Sequence, residues 1–271
     1  MRILFIADIV GKPGRRIVRE LLPGLIEEQR IALVIANCEN VASGFGVTAE
    51  IVEELYSYRV DVLTSGNHMW DKKEILEAVA DDEMLLRPAN YPEGVPGRGS
   101  VVWTGRDGIP IGVLNLSGRV FMNALDCPFR VAEREIAALQ KRARIIIVDM
   151  HAEATSEKIA LGWYLDGQVT AVLGTHTHVQ TADERILPKG TACLTDAGMT
   201  GPFDSVLGIK KDAILERFLL QMPNKFEVAK RDVRLQGAIV DCDPLSGRAK
   251  AIQRLSLSLG GQEGEDDEKR L

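Results

Sequence analysis

The sequence reads as an α/β protein: two packed mixed sheets flanked by helices, a four-layer α/β/β/α sandwich. Three patterns point there. Early in the chain, continuous apolar, β-branched runs alternate with helix-periodic stretches. Buried parallel strands between crossover helices have that signature. In the middle, two such runs flank the turn Gly105-Arg106-Asp107-Gly108, a hairpin signal. Near the end two long runs, 226–240 and 249–257, read as antiparallel strands.

In chain order, Arg2–Ala7 is expected to be a buried strand, and Gly14–Arg30 a helix that begins near Pro13. The stripe Ile17, Leu21, Leu22 and Leu25 gives that helix one core-facing side. Ala32–Ala36 reads as a strand and Thr48–Tyr58 as a helix capped by Thr48. Val60–Thr64 is a third strand, and Asp71-Lys72-Lys73-Glu74 resembles a capping box that opens a helix to Ala80. Strands at Ser100–Thr104 and Ile109–Leu116 form the hairpin, and a helix over Arg130–Arg142 leads to the strand Ile145–Asp149. A helix over Ser156–Tyr164 leads to Val169–Leu173, and Arg185–Leu187 pairs with Thr191–Leu194 across Pro188-Lys189-Gly190. A glycine-rich loop precedes the helix Ile209–Leu220. No internal repeat and no linker interrupts this series. It is read as a single domain over residues 1–258, followed by an acidic tail, 259–271, expected to be disordered.

Composition narrows the function. The chain has 271 residues and a formal net charge of −6, whereas binding duplex nucleic acid through its phosphates needs a basic face. A small anionic substrate held by metal ions stays compatible with that charge. No apolar run reaches the ~20 residues of a membrane span, so no membrane partner is expected. Met1 to Asp8 carries one basic residue and meets an aspartate too soon for a signal peptide. The four cysteines are widely spaced with no CxxC pair, as reduced and mostly buried thiols would be. Both features suggest a cytoplasmic protein, and the composition permits a homo-oligomer.

All four histidines fall in three short motifs: Gly66-Asn67-His68, Asp149-Met150-His151 and Gly174-Thr175-His176-Thr177-His178. Each follows an apolar run, so each stands where a strand ends. Asp8, Glu39 and Asn40 follow two earlier strands. Open α/β sheets bind ligands beyond the carboxyl ends of their strands, where these residues can converge. Carboxylate, amide and imidazole together suit a dinuclear centre, in which cations roughly 3.5–4 Å apart need a bridging carboxylate. Iron, manganese and zinc all accept such donors. In a strand, residues two apart share a face, so His176 and His178 are expected to enter one pocket.

Each piece also has a plainer reading. His151 alone would be a core histidine, the Thr-His-Thr-His run a polar turn, and Asp8, Glu39 and Asn67 caps beyond strands. Their joint order is what favours a metal site. Gly11-Lys12-Pro13-Gly14 lacks the Gly-Lys-Ser/Thr ending of a phosphate loop, and Pro13 removes an amide donor, so a turn is expected there. Cys38 adjoins Glu39 but has no histidine near it in sequence, which favours a buried side chain over a nucleophile. Gly198–Pro202 is read as a loop at the substrate mouth, with Thr200 as a donor to phosphate, against the plainer reading as a connection.

On these motifs the chain resembles the calcineurin-like metallophosphoesterase superfamily. That family carries D-x-H, G-D-x-x-D, G-N-H-[DE], an isolated His and G-H-x-H in that order. Here the series is Asp8-Ile9-Val10, Glu39-Asn40, Gly66-Asn67-His68, His151 and Gly174-Thr175-His176-Thr177-His178. Val10 replaces a ligand histidine, and Glu39 replaces the bridging aspartate. With Cys38-Glu39-Asn40 and Gly198-Met199-Thr200-Gly201-Pro202, the chain is similar to the bacterial YmdB-like branch, described as cyclic-nucleotide phosphodiesterases. The resemblance implies that Asp8, Glu39, Asn40 and His178 hold one metal ion. Glu39, Asn67, His151 and His176 would hold the second, with Glu39 bridging and Asn40 supplying what Val10 cannot. The two ions would be iron and/or manganese, with zinc as an option. It further implies attack by a metal-bridged hydroxide on a small phosphodiester, a 2′,3′- or 3′,5′-cyclic nucleotide, with His68 as general acid rather than ligand. Imidazole titrates near neutrality and suits that part.

Two other functions compete. A nucleotide-sensing regulator that binds metal and ligand with little turnover would explain the ligand lost at Val10. An amidohydrolase also uses an HxH pair, but there the pair closes the first strand of a barrel, whereas here it lies at residues 176–178.

Overall fold

Along β1 (Arg2–Ile6) successive side chains enter two different cores. Ile3 and Phe5 pack with Leu33, Ile35, Val113, Ile145 and Ile147, whereas Leu4 and Ile6 pack with Ile17, Leu22, Val52 and Leu55. That strand is therefore covered on both faces, as its unbroken apolar run requires. The structure, a computed structural model, describes residues 1–105 and 107–259.

After β1 come β2 (Asp8–Ile9), α1 (Gly11–Gln29), β3 (Ile31–Asn37), α2 (Ala49–Ser57), β4 (Val62–Thr64) and α3 (Ile75–Asp81). The middle holds β5 (Ser100–Thr104), β6 (Pro110–Ser117), α4 (Pro128–Leu139), β7 (Ile145–His151), α5 (Thr155–Tyr164) and β8 (Ala171–Thr175). The rest is β9 (Arg185–Ile186), β10 (Ala192–Leu194), β11 (Met199–Pro202), α6 (Lys211–Leu220), β12 (Val233–Cys242) and β13 (Ala249–Ser258). One sheet runs β2-β11-β12-β1-β3-β4, with β13 also paired to β12, and the other runs β5-β6-β7-β8-β10-β9. Each is mixed: β1, β3 and β4 are parallel while β12 opposes β1, and β6, β7, β8 and β10 are parallel between antiparallel β5 and β9.

Three apolar layers hold the four structural layers together. The central one lies between the sheets, and a second seats α1, α2 and α3 on the first sheet. The third seats α4 and α5 on the second sheet through Val131, Ile136, Leu139 and Leu161. Full burial of a side chain such as Phe5 or Ile147 is worth roughly 1.5–3 kcal/mol each. The expected α/β/β/α sandwich of two mixed sheets is what these residues form. No helix among the described residues is long and apolar enough to cross a membrane.

Local differences from the sequence reading have identifiable causes. Helix α1 starts at Gly11, where a left-handed φ of 57° turns the chain out of β2. Thr48 does cap α2, its side chain accepting from the Ile51 amide. The capping box at Asp71 does not form, because α3 begins at Ile75 and the Asp71 carboxylate is turned to His68. The 198–202 segment is no free loop. Its Met199–Pro202 portion pairs in parallel with β2 and antiparallel with β12. The long strand expected from Phe226 begins only at Val233, and before it Val228 makes an isolated bridge to Ile209. Residues 260–271, nearly all of the acidic tail, lie outside the described residues.

Candidate metal centre

Strand ends of both sheets deliver the site. Asp8 opens β2, Glu39 and Asn40 follow β3, and Gly66-Asn67-His68 follows β4. Facing them, His151 is the last residue of β7, and His176 and His178 lie just past β8. The eight residues expected from sequence are thus all gathered at one end of the sandwich.

The tightest convergence is on His151 Nε2. Glu39 Oε1 and Asn67 Oδ1 each stand 3.1 Å from it, and His176 Nδ1 stands 3.0 Å from it. Glu39, His151 and His176 form a group able to hold a metal ion. Proton positions follow from the outer partners. Thr175 Oγ1 donates to Asp149 Oδ1 at 2.7 Å, so it accepts from His151 Nδ1 at 2.9 Å. Glu153 Oε2, 3.2 Å away, accepts from His176 Nε2. Both arrangements turn lone pairs toward the same point as Glu39 Oε1 and Asn67 Oδ1. A single proton on His151 Nε2 cannot serve three partners, whereas one cation can.

A second group adjoins the first through Glu39. Asn40 Nδ2 donates to Glu39 Oε1 at 3.2 Å and lies 3.1 Å from His178 Nε2, and turning that amide over would present Oδ1, the atom that can meet a cation. His178 Nδ1 faces the Leu207 carbonyl at 3.2 Å, which leaves Nε2 as the electron-pair donor, 4.0 Å from Asp8 Oδ1. Asp8 Oδ1 is fully buried and has no hydrogen-bond partner among the described residues, while Oδ2 accepts from the His176 amide. An orphaned buried carboxylate oxygen beside imidazole lone pairs is costly unless a cation meets it. The residues present therefore fit metal binding. Val10 is buried beside Gly201 and Gly208, and Asn40 stands 3.1 Å from the His178 imidazole.

Charges in the pocket are strongly coupled. Burial pushes the Asp8 carboxyl well above the usual range, and the neighbouring Glu39 adds to that. Burial also acts upward on Glu39, but His151 outweighs it and brings the carboxyl down to about 2. Burial acts downward on His151, yet Glu39 raises it to about 9, so a cation bound at Nε2 would have to displace a proton held there by Glu39. Burial takes His176 down to about 3 and lowers His178, keeping both neutral and available as ligands.

His68 stands apart from the ligand cluster. Its amide donates to Glu39 Oε2 at 3.1 Å, its Nδ1 lies 2.7 Å from Asp71 Oδ2, and its ring meets Phe45 edge to face. It is partly exposed, whereas Glu39 and His151 are buried.

Several supporting residues had no role assigned to them from sequence. Asp149 Oδ2 accepts from Thr64 Oγ1 and Asn37 Nδ2, so Asp149 ties both sheets to the His151 ring through Thr175. Its position two residues before His151 on one strand is the signal that could have found it. Lys158 pairs with Asp196 at 2.6 Å, and Asp196 also accepts from both the amide and the hydroxyl of Thr177. That fastens the turn between His176 and His178. The two histidines share a pocket through left-handed backbone (φ 99° and 63°) beyond the end of β8, not through strand alternation. Thr200 cannot be a phosphate donor as expected, because it is buried and its hydroxyl donates to the Gln236 carbonyl. Cys38 is buried and its thiol pKa pushed up by that burial, as a packing residue's would be. Both sheets are open, which removes the barrel an amidohydrolase would need.

Comparison with known proteins finds relatives over nearly the whole chain. The family model described as "YmdB-like protein" matches residues 4–255. The 2′,3′-cyclic-nucleotide 2′-phosphodiesterase of Bacillus subtilis (strain 168) is 49% identical over 258 residues, covering 95% of this chain and 97% of that protein. A solved structure of a hypothetical protein from Thermus thermophilus superimposes with a TM-score of 0.89 at 42% identity, covering 95% of this chain and 99% of that one. A structure described as a novel phosphatase from Mycoplasma pneumoniae gives 0.89 at 35% identity, with 95% and 93% coverage.

Proposed function

The chain belongs to the YmdB-like family, and on that premise we propose that it is a metal-dependent phosphodiesterase cleaving 2′,3′-cyclic nucleotides at a dinuclear centre. The observation that carries this reading is the convergence of Glu39, Asn67 and His176 within 3.1 Å of His151 Nε2, next to the orphaned Asp8 oxygen. Glu39, Asn67, His151 and His176 would hold one ion, and Asp8, Glu39, Asn40 and His178 the other. Glu39 belongs to both sets because its Oε1 is within 3.2 Å of His151 and of Asn40. Iron or manganese suits this mixed donor set, and zinc is an alternative. When bound, the ions lower the pKa of a coordinated water and neutralise charge gathering on the phosphorus.

The chain's own residues supply the rest. His151 is held in one orientation by Thr175 and Asp149, and His178 by the Leu207 carbonyl. Such outer partners fix which ring nitrogen offers its lone pair. His68, tethered by its amide to Glu39 and by its ring to Asp71, donates the proton to the departing ribose oxygen. The relative from Bacillus subtilis favours the 2′,3′ substrate over the 3′,5′ one.

The test is an assay of 2′,3′-cyclic AMP, 3′,5′-cyclic AMP and bis-p-nitrophenyl phosphate with added manganese, together with metal analysis of wild type and His68→Ala. Turnover of the 2′,3′ substrate is expected, with a loss of about 10²–10⁴-fold in His68→Ala and unchanged metal content. Ligand binding without hydrolysis would favour a nucleotide sensor. Metal lost along with activity would make His68 a ligand.

A further inference from the structure

Phe45 lies in the loop between β3 and α2 and is half-buried, yet it joins none of the three apolar cores. Its ring contact is with His68, the centroids 5.1 Å apart and the planes inclined by 63°. The loop that carries it is closely fixed. Ala42 donates to the Gly46 carbonyl at 3.0 Å and Phe45 to the Ala42 carbonyl at 3.3 Å. Gly44 and Gly46 both take left-handed backbone (φ 95° and 82°), which a side chain rarely adopts. A Cβ at Gly46 would come within 2.9 Å of Lys72 Cγ, and one at Gly44 within 3.0 Å of Val228 Cγ2. A phenyl ring is thus held beside the acid while leaving part of its surface open, which forgoes the gain of apolar burial.

The identity of the acid says what such a ring would meet. On the phosphodiesterase reading, His68 protonates the ribose oxygen that leaves phosphorus. The nucleoside remains attached to that oxygen, and its base lies one furanose away. We propose that Phe45 is the specificity-determining residue that stacks on the nucleobase, so that the enzyme selects nucleoside cyclic phosphates over cyclic phosphates lacking a base. Every base has a π-face, so the selection is for the presence of a base more than for its identity.

This rests on the phosphodiesterase reading, and the experiment separates the two. KM and kcat are measured for metal-loaded wild type, Phe45→Ala and Phe45→Trp on 2′,3′-cyclic AMP and on base-free glycerol 1,2-cyclic phosphate. Phe45→Ala should raise KM for the nucleotide about tenfold, leave the base-free substrate unchanged, and be rescued by Phe45→Trp. Equal losses on both substrates would mean that Phe45 merely braces His68, and no loss on either would mean that the ring is idle. Both results overturn the proposal while the phosphodiesterase reading stands. Wild type inert toward both substrates would overturn that reading and the proposal with it.

Discussion

Asp71 Oδ2 lies 2.7 Å from His68 Nδ1, three residues along the same turn. The carboxylate that reads in sequence as a helix cap is spent instead on orienting an imidazole. With Nδ1 donating to Asp71, the other ring nitrogen is the one left to face substrate.

Asp71→Asn keeps the shape and removes the charge. The proton donor is still present, so the loss should be smaller than that of His68→Ala, on the order of tenfold in kcat, with KM and metal content unchanged. Asp71→Ala should cost more than Asp71→Asn, because the amide can still accept from the ring. An unaltered kcat in both variants would show the pair to be only a surface contact.

Gly66 is confined by its neighbours. A Cβ there would fall inside the van der Waals shells of the His151 ring and the Glu39 carboxylate. Gly66→Ala should therefore lower metal content and activity together, unlike His68→Ala, while the apolar layers stay packed and the far-ultraviolet circular dichroism is kept. Full metal occupancy in Gly66→Ala would show that His151 and Glu39 have room to move and do not form a rigid cradle.

Thr175 passes the hydrogen bond from His151 to Asp149, with 2.9 and 2.7 Å on its two sides. Thr175→Val is nearly isosteric but takes the acceptor from His151 Nδ1 and one donor from buried Asp149. Loss of such an outer partner costs about 10–100-fold in metal affinity. Titration against a competing chelator would measure it, and Thr175→Ser should restore most of the loss. Equal affinities in Thr175→Val and wild type would remove the relay from the account.

The four layers were legible because β1, β3, β6, β7 and β8 are apolar through most of their length, interrupted in β6 by Asn115 and in β7 by Asp149, as strands buried on both faces are. The candidate site's convergence was legible because its histidines and carboxylates all stand just beyond such runs. Short pieces were not. β2 has two residues and β11 includes Gly201 and Pro202, so neither has a period to detect. β11 is held by pairing with β12, and β2 by pairing with β11. The geometry of the His176–His178 turn was hidden for a related reason. Alternation applies only within a strand, and these residues lie beyond one, held by Asp196 from another part of the chain. The role of Asp71 was hidden because a cap and an imidazole partner need the same acceptor, and local sequence does not say which donor wins.

Lys158 and Asp196 are a buried ion pair, their side chains 3% and 1% exposed. Removing one member of such a pair typically costs about 3–5 kcal/mol, because the other is left charged without its partner. Asp196 keeps the Thr177 amide, the Thr177 hydroxyl and the Gly198 amide as donors, so Lys158→Met should fall near the low end of that range. The reading belongs in denaturant unfolding with a chelator present, so that metal binding does not add to the measured stability. In Lys158→Met with Asp196→Asn the charge is gone and the one remaining side-chain oxygen still accepts from Thr177, while the Gly198 amide loses its acceptor. The double variant should therefore be more stable than Lys158→Met alone, a coupling that two independent sites would not show. Metal affinity should follow the same order, since Asp196 holds the turn that aims His176 and His178. If stability recovered in the double variant while metal affinity stayed lost, the charge of Asp196 itself, rather than its hold on Thr177, would be what the metal centre requires.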